Sequence, residues 1–103
     1  MVVLSLFYPN QSSGQFDEDY YVNRHVPLVR ERWGPMGLTD IRLLRGIGTP
    51  DGALAPYRVV ALVTFDSAEA LSQALDSHRD EIFASIPRYT DIEPVIQISE
   101  ALA

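Results

Sequence analysis

The sequence of 103 residues contains no cysteine. Disulfide bridges, catalytic thiolates and cysteine-ligated metals are therefore excluded, and the composition is compatible with a reducing compartment. The length predicts a single domain over residues 1–103. A chain of this size buries roughly 60–70% of its unfolded surface, which is enough for a core without cross-links.

Positive charge is scarce. Eight basic residues stand against 14 acidic ones, which gives a net charge of −6 and a pI near 4.6. Proteins that bind nucleic acid usually present a basic face to the phosphates, so no nucleic-acid partner is expected.

Long hydrophobic runs are missing as well. No apolar stretch approaches the roughly 20 residues that span a bilayer. The apolar segment 1–9 has no basic leader and no small-residue cleavage pattern. We therefore expect no membrane partner and a cytoplasmic location.

Several catalytic and binding motifs are absent. The sequence has no G-x-S-x-G and no phosphate-binding loop, and 46–48 lacks the third glycine and the helix of a dinucleotide site. His25 and His78 lie far apart without a carboxylate at ligand spacing, so neither a metal nor a cofactor is expected. For His78 we expect packing against the sheet or capping of a turn.

The residues that are present predict the order βαββαβ. Asp17 and Asp66 are expected to cap the two helices, and Pro27 is expected to kink the first helix or break it into two pieces. This order is typical of an α+β ferredoxin-like fold, an antiparallel four-stranded sheet with two helices on one face. The expected strands are 2–8, 38–48, 57–65 and 91–99, and the expected helices are 17–33 and 67–83.

The expected central strands, 2–8 and 57–65, are apolar on both faces. An antiparallel sheet with one solvated face would alternate apolar and polar residues. Two helices cover one face only, and the other would expose a larger apolar patch than monomers normally tolerate. We therefore expect a homodimer that packs sheet face against sheet face. The alternative is that the apolar residues on both faces reflect a loosely patterned sequence, and that the sheet has no partner.

His25 is the candidate functional residue. At 100° per residue it lies in the middle of the sheet-facing stripe of the first helix, one turn after Tyr21. An imidazole suits acid/base chemistry at neutral pH, although burial would lower its pKa. The disruption at Pro27 can open space beside it. The alternative is a structural histidine that donates one ring proton to a carbonyl and performs no chemistry.

Three segments resemble the EthD family: YPN at 8–10, FDEDYYVNRHVPLV at 16–29 and IPRYTDIEPVIQISE at 86–100. The specific part is F-D-x-D-Y-Y-x-x-x-H-x-P-L, and only the loop 46–57 lies outside the likeness. The resemblance implies a dimeric α/β barrel of ferredoxin-like subunits, in a family named after a protein needed for ethyl tert-butyl ether degradation. Similar barrels include muconolactone isomerases, polyketide cyclases, cofactor-free monooxygenases and haem-binding chlorite dismutases. The resemblance to the EthD family also implies an acid/base role for His25.

The first hypothesis is a small cofactor-independent enzyme or catabolic accessory protein that binds a hydrophobic, oxygenated or aromatic molecule. The reaction would be either acid/base or oxidative chemistry, which leaves an oxidoreductase, a lyase and an isomerase as alternatives. His25 would transfer a proton, Tyr21 would orient it or the substrate, and an apolar wall would be formed by Tyr8, Phe16 and Trp33. The alternatives are a non-catalytic carrier, an interaction protein, and a haem protein with His25 as axial ligand. Tyr20, on the solvent side, and Tyr89, on a loop, are weaker candidates.

Overall fold

The computed structural model describes residues 1–103 and contains one antiparallel sheet. Its strands are β1 (Val2–Pro9), β2 (Leu38–Arg45), β3 (Tyr57–Phe65) and β4 (Val95–Glu100), arranged in the order β2-β3-β1-β4. The helices are α1 (Glu18–Tyr20), α2 (Val26–Trp33) and α3 (Ala68–Ala84), with a π-helical turn at Tyr21–His25 and 3₁₀ turns at Gly34–Met36 and Ile86–Arg88. The ferredoxin-like fold expected from the sequence is confirmed.

One face of the sheet is covered by the helices. Alternate residues of a strand point to opposite faces, so the buried set of each central strand has a period of two. Residues at three- and four-residue steps along α3 pack against that set. The buried residues on this side include Leu4, Leu6, Tyr8, Ala61, Val63, Phe65, Leu71, Leu75 and Ile82.

The opposite face carries no helix, and we call it the uncovered face. The central strands contribute half-buried apolar side chains there, while Leu44 of β2 and Val95 of β4 are 46% and 54% exposed. A register shift between β1 and β3 turns Tyr57 onto Phe7, with ring centroids 5.2 Å apart. The uncovered face consists of an apolar centre and polar residues on the two edge strands: Val3, Ser5, Phe7, Leu44, Tyr57, Val60, Leu62, Thr64 and Val95, with Asp40, Arg42, Gln97 and Ser99.

The N-cap of α1 is the residue expected from the sequence, and the N-cap of α3 is a different one. Asp17 caps α1 as expected, since its Oδ1 accepts from the backbone N–H of Tyr20 at 3.0 Å. The prediction for Asp66 is wrong. Ser67 caps α3 instead, because its Oγ accepts from the N–H of Ala70 at 3.1 Å, and Asp66 gives its backbone N–H to Gly37.

Pro27 does not break the first helix into two pieces. α1, the π turn and α2 follow one another without a gap, and we call them together the composite helix. Pro27 has no N–H to give to the preceding turn and its ring would clash there. The chain accommodates it by widening that turn, so the N–H of Val26 bonds to the carbonyl of Tyr21, five residues back. Such π turns are frequent at functional sites.

Two further boundaries differ from expectation. β2 ends at Arg45, so it is shorter than the expected 38–48, and β4 begins at Val95 instead of at 91. The chain enters β2 through Gly37, whose φ of 97° favours glycine and where a Cβ would lie 2.9 Å from the Cβ of Ala70.

None of the helices combines the length and the apolar composition that crossing a membrane requires.

Candidate functional site

Five ring side chains meet where β1 ends, and we call them the aromatic cluster. Neighbouring ring centroids in it lie between 4.7 and 6.2 Å apart, mostly in edge-to-face arrangements. An isolated bridge between Phe16 and Thr90 holds the segment before α1 against the segment that follows α3. The cluster consists of Tyr8, Phe16, Tyr21, His25 and Tyr89.

His25 lies inside this cluster and is only 7% exposed. Its ring stacks on Tyr21 at 5.5 Å, with 14° between the planes, and lies 4.8 Å from the ring of Tyr89. Its Nδ1 is hydrogen-bonded to Oγ of Ser85. Burial lowers the pKa of His25 to about 4, because the charged imidazolium loses its hydration. The imidazole is therefore neutral at pH 7.

The three tyrosines of the cluster keep their phenolic protons. The hydroxyls of Tyr8 and Tyr89 are hydrogen-bonded at 2.7 Å. Burial is the main cause that raises the pKa of Tyr8, Tyr21 and Tyr89, and the proximity of Tyr8 raises the other two further. These hydroxyls are therefore neutral at pH 7 and can act as hydrogen-bond donors.

A cavity of about 30 Å³ lies between the composite helix, α3 and the sheet. Fourteen of its fifteen lining residues are hydrophobic, tyrosines included, and His25 is the fifteenth. This volume holds a water molecule, whereas even benzene needs a cavity of about 150 Å³. A haem does not fit there. No group of three His, Asp or Glu side chains is close enough to hold a metal ion.

A surface groove of about 280 Å³ lies beside this cavity, between β2 and the composite helix. Tyr21 and Leu43 line both spaces and therefore form the wall between them. The charged residues of the groove are Glu18 and Arg45, whose Nε donates to the carboxylate of Glu18 at 3.0 Å. This ion pair lowers the pKa of Glu18, chiefly through the hydrogen bond from Arg45. The groove is otherwise apolar.

Comparison with known proteins gives no match to a family model and none to a curated protein. Solved structures do match. An EthD-like protein from Ralstonia eutropha shares 33% identity and a TM-score of 0.89, over 99% of this chain and 92% of that one. The chain belongs to the EthD family.

Two further structures agree with the fold of this EthD-family chain. An ethyl tert-butyl ether (EthD) family protein from Bacillus halodurans has 23% identity and a TM-score of 0.70, over 99% of both chains. A variant of SnoaB from Streptomyces nogalater, a cofactor-independent oxygenase, has 12% identity and a TM-score of 0.63, over 99% of this chain and 92% of that one. At these identities the likeness concerns the fold alone.

The residues selected from the sequence fall into two groups in this EthD-family chain. Tyr8, Tyr21 and His25 line the cavity together, and Phe16 contacts Tyr8 and Tyr21 from the groove side. Trp33 lines the cavity away from the cluster. It packs on Phe65 with ring centroids 5.6 Å apart and its Nε1 donates to the carbonyl of Ala74 at 2.9 Å.

Two members of the site were undervalued or missed. Tyr89 lies on the loop after α3, as expected, but it is buried within the cluster, and the Y-T-D segment at 89–91 was the available signal. Ser85 was missed altogether, because a serine at a helix end has no distinctive pattern. His78 lies on α3 beside Glu81. It is half-buried, with Nδ1 3.9 Å from a carboxylate oxygen of Glu81.

Proposed function

We propose that this EthD-family protein binds a small hydrophobic molecule, oxygenated or aromatic, and transfers a proton on it without a cofactor. His25 is the acid/base group. The observation that carries this proposal is a neutral imidazole in the wall of an otherwise apolar cavity, with the hydroxyl-bearing rings of Tyr8 and Tyr21 beside it. Such a site combines a proton acceptor with hydrogen-bond donors in surroundings of low polarity.

The two kinds of group have complementary tasks. The neutral imidazole accepts a proton from a carbon or oxygen of the substrate, and a tyrosine hydroxyl donates to the oxygen on which negative charge develops. Because the pKa of Tyr21 is raised, its hydroxyl keeps its proton and stays a donor throughout. A negative charge on the bound substrate would in turn raise the pKa of His25 and strengthen it as a base.

The ligand reaches His25 through the groove. The cavity alone is far too small for an organic molecule, whereas the groove, at about 280 Å³, is close to the roughly 300 Å³ of the smallest ligand pockets. Displacing the side chains of Tyr21 and Leu43 would join the two spaces. Phe16 then forms the apolar wall of the groove, and Trp33 is part of the apolar lining of the cavity.

A substitution of His25 tests the proposal. Wild-type protein, His25→Gln and the matched control His78→Gln would be screened against a panel of aromatic and oxygenated hydrophobic compounds. Binding would be followed by the fluorescence of Trp33 and turnover by mass spectrometry. We expect His25→Gln to lose about 10²–10⁴-fold in turnover with affinity nearly unchanged, while His78→Gln behaves as wild type.

Other outcomes would assign a different role. Turnover that survives in His25→Gln contradicts the acid/base role. Binding without turnover in the wild-type protein means a carrier, an activity that the hydrophobic lining of the cavity also suits. If none of the compounds binds to the wild-type protein, the remaining role is that of an interaction protein.

A further inference from the structure

Ser85 ends α3 as its C-cap residue and is buried against the composite helix. Its hydroxyl takes part in two hydrogen bonds. Oγ donates to the carbonyl of Ile82 at 3.0 Å, within the last turn of the helix, and the same oxygen is bonded to Nδ1 of His25. The two residues are 60 positions apart, so this contact exists only in the folded chain.

The direction of the second hydrogen bond follows from a count of protons. A hydroxyl has one proton, and the carbonyl of Ile82 can only accept, so the proton of Ser85 belongs to that bond. The proton between Ser85 and His25 must therefore come from the ring, which makes Nδ1 the donor. A neutral imidazole carries a single N–H, so Nε2 is left with its lone pair free to accept.

Nε2 is also the ring nitrogen that reaches open space. It makes no hydrogen bond to the protein, and no fully buried polar side-chain atom lacks a partner. Nε2 must therefore retain accessible surface, and His25 is one of the residues that line the cavity. With no partner in the protein, the lone pair of Nε2 is available to a molecule that reaches the ring.

We propose that Ser85 is a positioning residue that holds His25 in the Nδ1–H tautomer and so makes Nε2 the proton acceptor of the site. A free histidine side chain favours the opposite tautomer, with the proton on Nε2. Ser85 differs from a carboxylate in the same place because a neutral hydroxyl orients the ring without favouring its charged form. The catalytic meaning of this assignment rests on the proposed function, but the tautomer itself does not.

Nuclear magnetic resonance of the full chain tests the assignment without a substrate. Long-range ¹H–¹⁵N spectra at neutral pH distinguish protonated from unprotonated ring nitrogens, and His25→Gln identifies the signals. We expect Nδ1–H and unprotonated Nε2 in the wild-type protein. Ser85→Ala should shift the population towards Nε2–H, Ser85→Thr should keep the wild-type tautomer, and the exposed Ser77→Ala on the same helix should change nothing.

Two results would overturn the proposal: an Nε2–H tautomer in the wild-type protein, or the same tautomer in wild type and folded Ser85→Ala. If Ser85→Ala does not fold, the wild-type spectrum still decides. Once a substrate is known, Ser85→Ala should lower kcat about 10- to 100-fold with little change in KM. Absence of turnover in every variant would contradict the proposed function and leave the tautomer assignment standing.

Discussion

At the scale of the residue, His25 couples the stability of the fold to pH. Its environment is buried, and its polar partner is a neutral hydroxyl. Its pKa falls from an ordinary value of 6.5 to about 4 for this reason alone. Between these two values the unfolded chain binds a proton that the folded chain does not. Acid therefore favours the unfolded state across this interval.

The size of this effect can be measured by urea unfolding. From about pH 7.5 to about pH 5, we expect His25 to contribute a loss of about 2 kcal/mol in the free energy of unfolding. The loss develops as the pH falls through 6.5 and is complete only below pH 4. His25→Gln should show a correspondingly shallower pH dependence, because the carboxylates titrate in both proteins and cancel in the comparison. Equal slopes for the two proteins would contradict the burial argument.

Part of the site was predictable from local patterns. Helical periodicity puts Tyr21 and His25 on one face, and strand alternation puts Tyr8 on the helix-covered side of β1. Ser85 and Tyr89 could not be found in this way. They reach His25 and Tyr8 across 60 and 81 positions of sequence, and only the docking of the segment after α3 brings them there. Periodicity also grouped Trp33 with the site, although it lies outside the aromatic cluster.

At the scale of the element, the composite helix illustrates what a local pattern leaves open. Pro27 indicates that the α-helical hydrogen bonding must change, because it has no N–H to donate. Whether the chain then kinks, breaks or widens depends on the packing of the residues before it. Here Tyr21 and His25 are both anchored in the aromatic cluster, and the turn between them widens instead of breaking.

The cap of α3 gives a prediction at the same scale. Ser67→Ala should lower the free energy of unfolding by about 1 kcal/mol, because the N–H of Ala70 loses its acceptor. Asp66→Ala should cost roughly 0.3 kcal/mol, the contribution of a negative charge near a helix N-terminus. Urea unfolding of both variants at neutral pH makes the comparison. A larger loss for Asp66→Ala would show that the cap is the aspartate after all.

At the scale of the whole molecule, the order of elements was predictable and the assembly stays a proposal. Strand-like apolar runs alternating with amphipathic helices led to the ferredoxin-like sheet, and the order β2-β3-β1-β4 puts the two most apolar strands at its centre. That placement leaves Phe7, Val60 and Leu62 beside one another on the uncovered face. An apolar surface of this kind marks an interaction site.

We propose that a second copy of the chain occupies the uncovered face and forms a homodimer through the two sheets. A two-fold axis brings the same face of both subunits together, so one self-complementary apolar surface suffices. Val60 is the residue to test, because it lies on a central strand of that face between two apolar partners, Phe7 of β1 and Leu44 of β2. A charge there would be buried in the dimer without a partner.

Analytical ultracentrifugation measures directly whether the protein is a dimer. The wild-type protein should sediment at twice its mass of 11.5 kDa, and Val60→Asp as a monomer that circular dichroism shows to be folded. Because Ile47 is 97% exposed in the loop after β2, Ile47→Asp adds the same charge away from the sheet and should remain a dimer. A monomeric wild-type protein, or a folded Val60→Asp that stays dimeric, would exclude this face as the contact. The comparison separates the position of the charge from its mere presence, since both variants become more acidic by one unit.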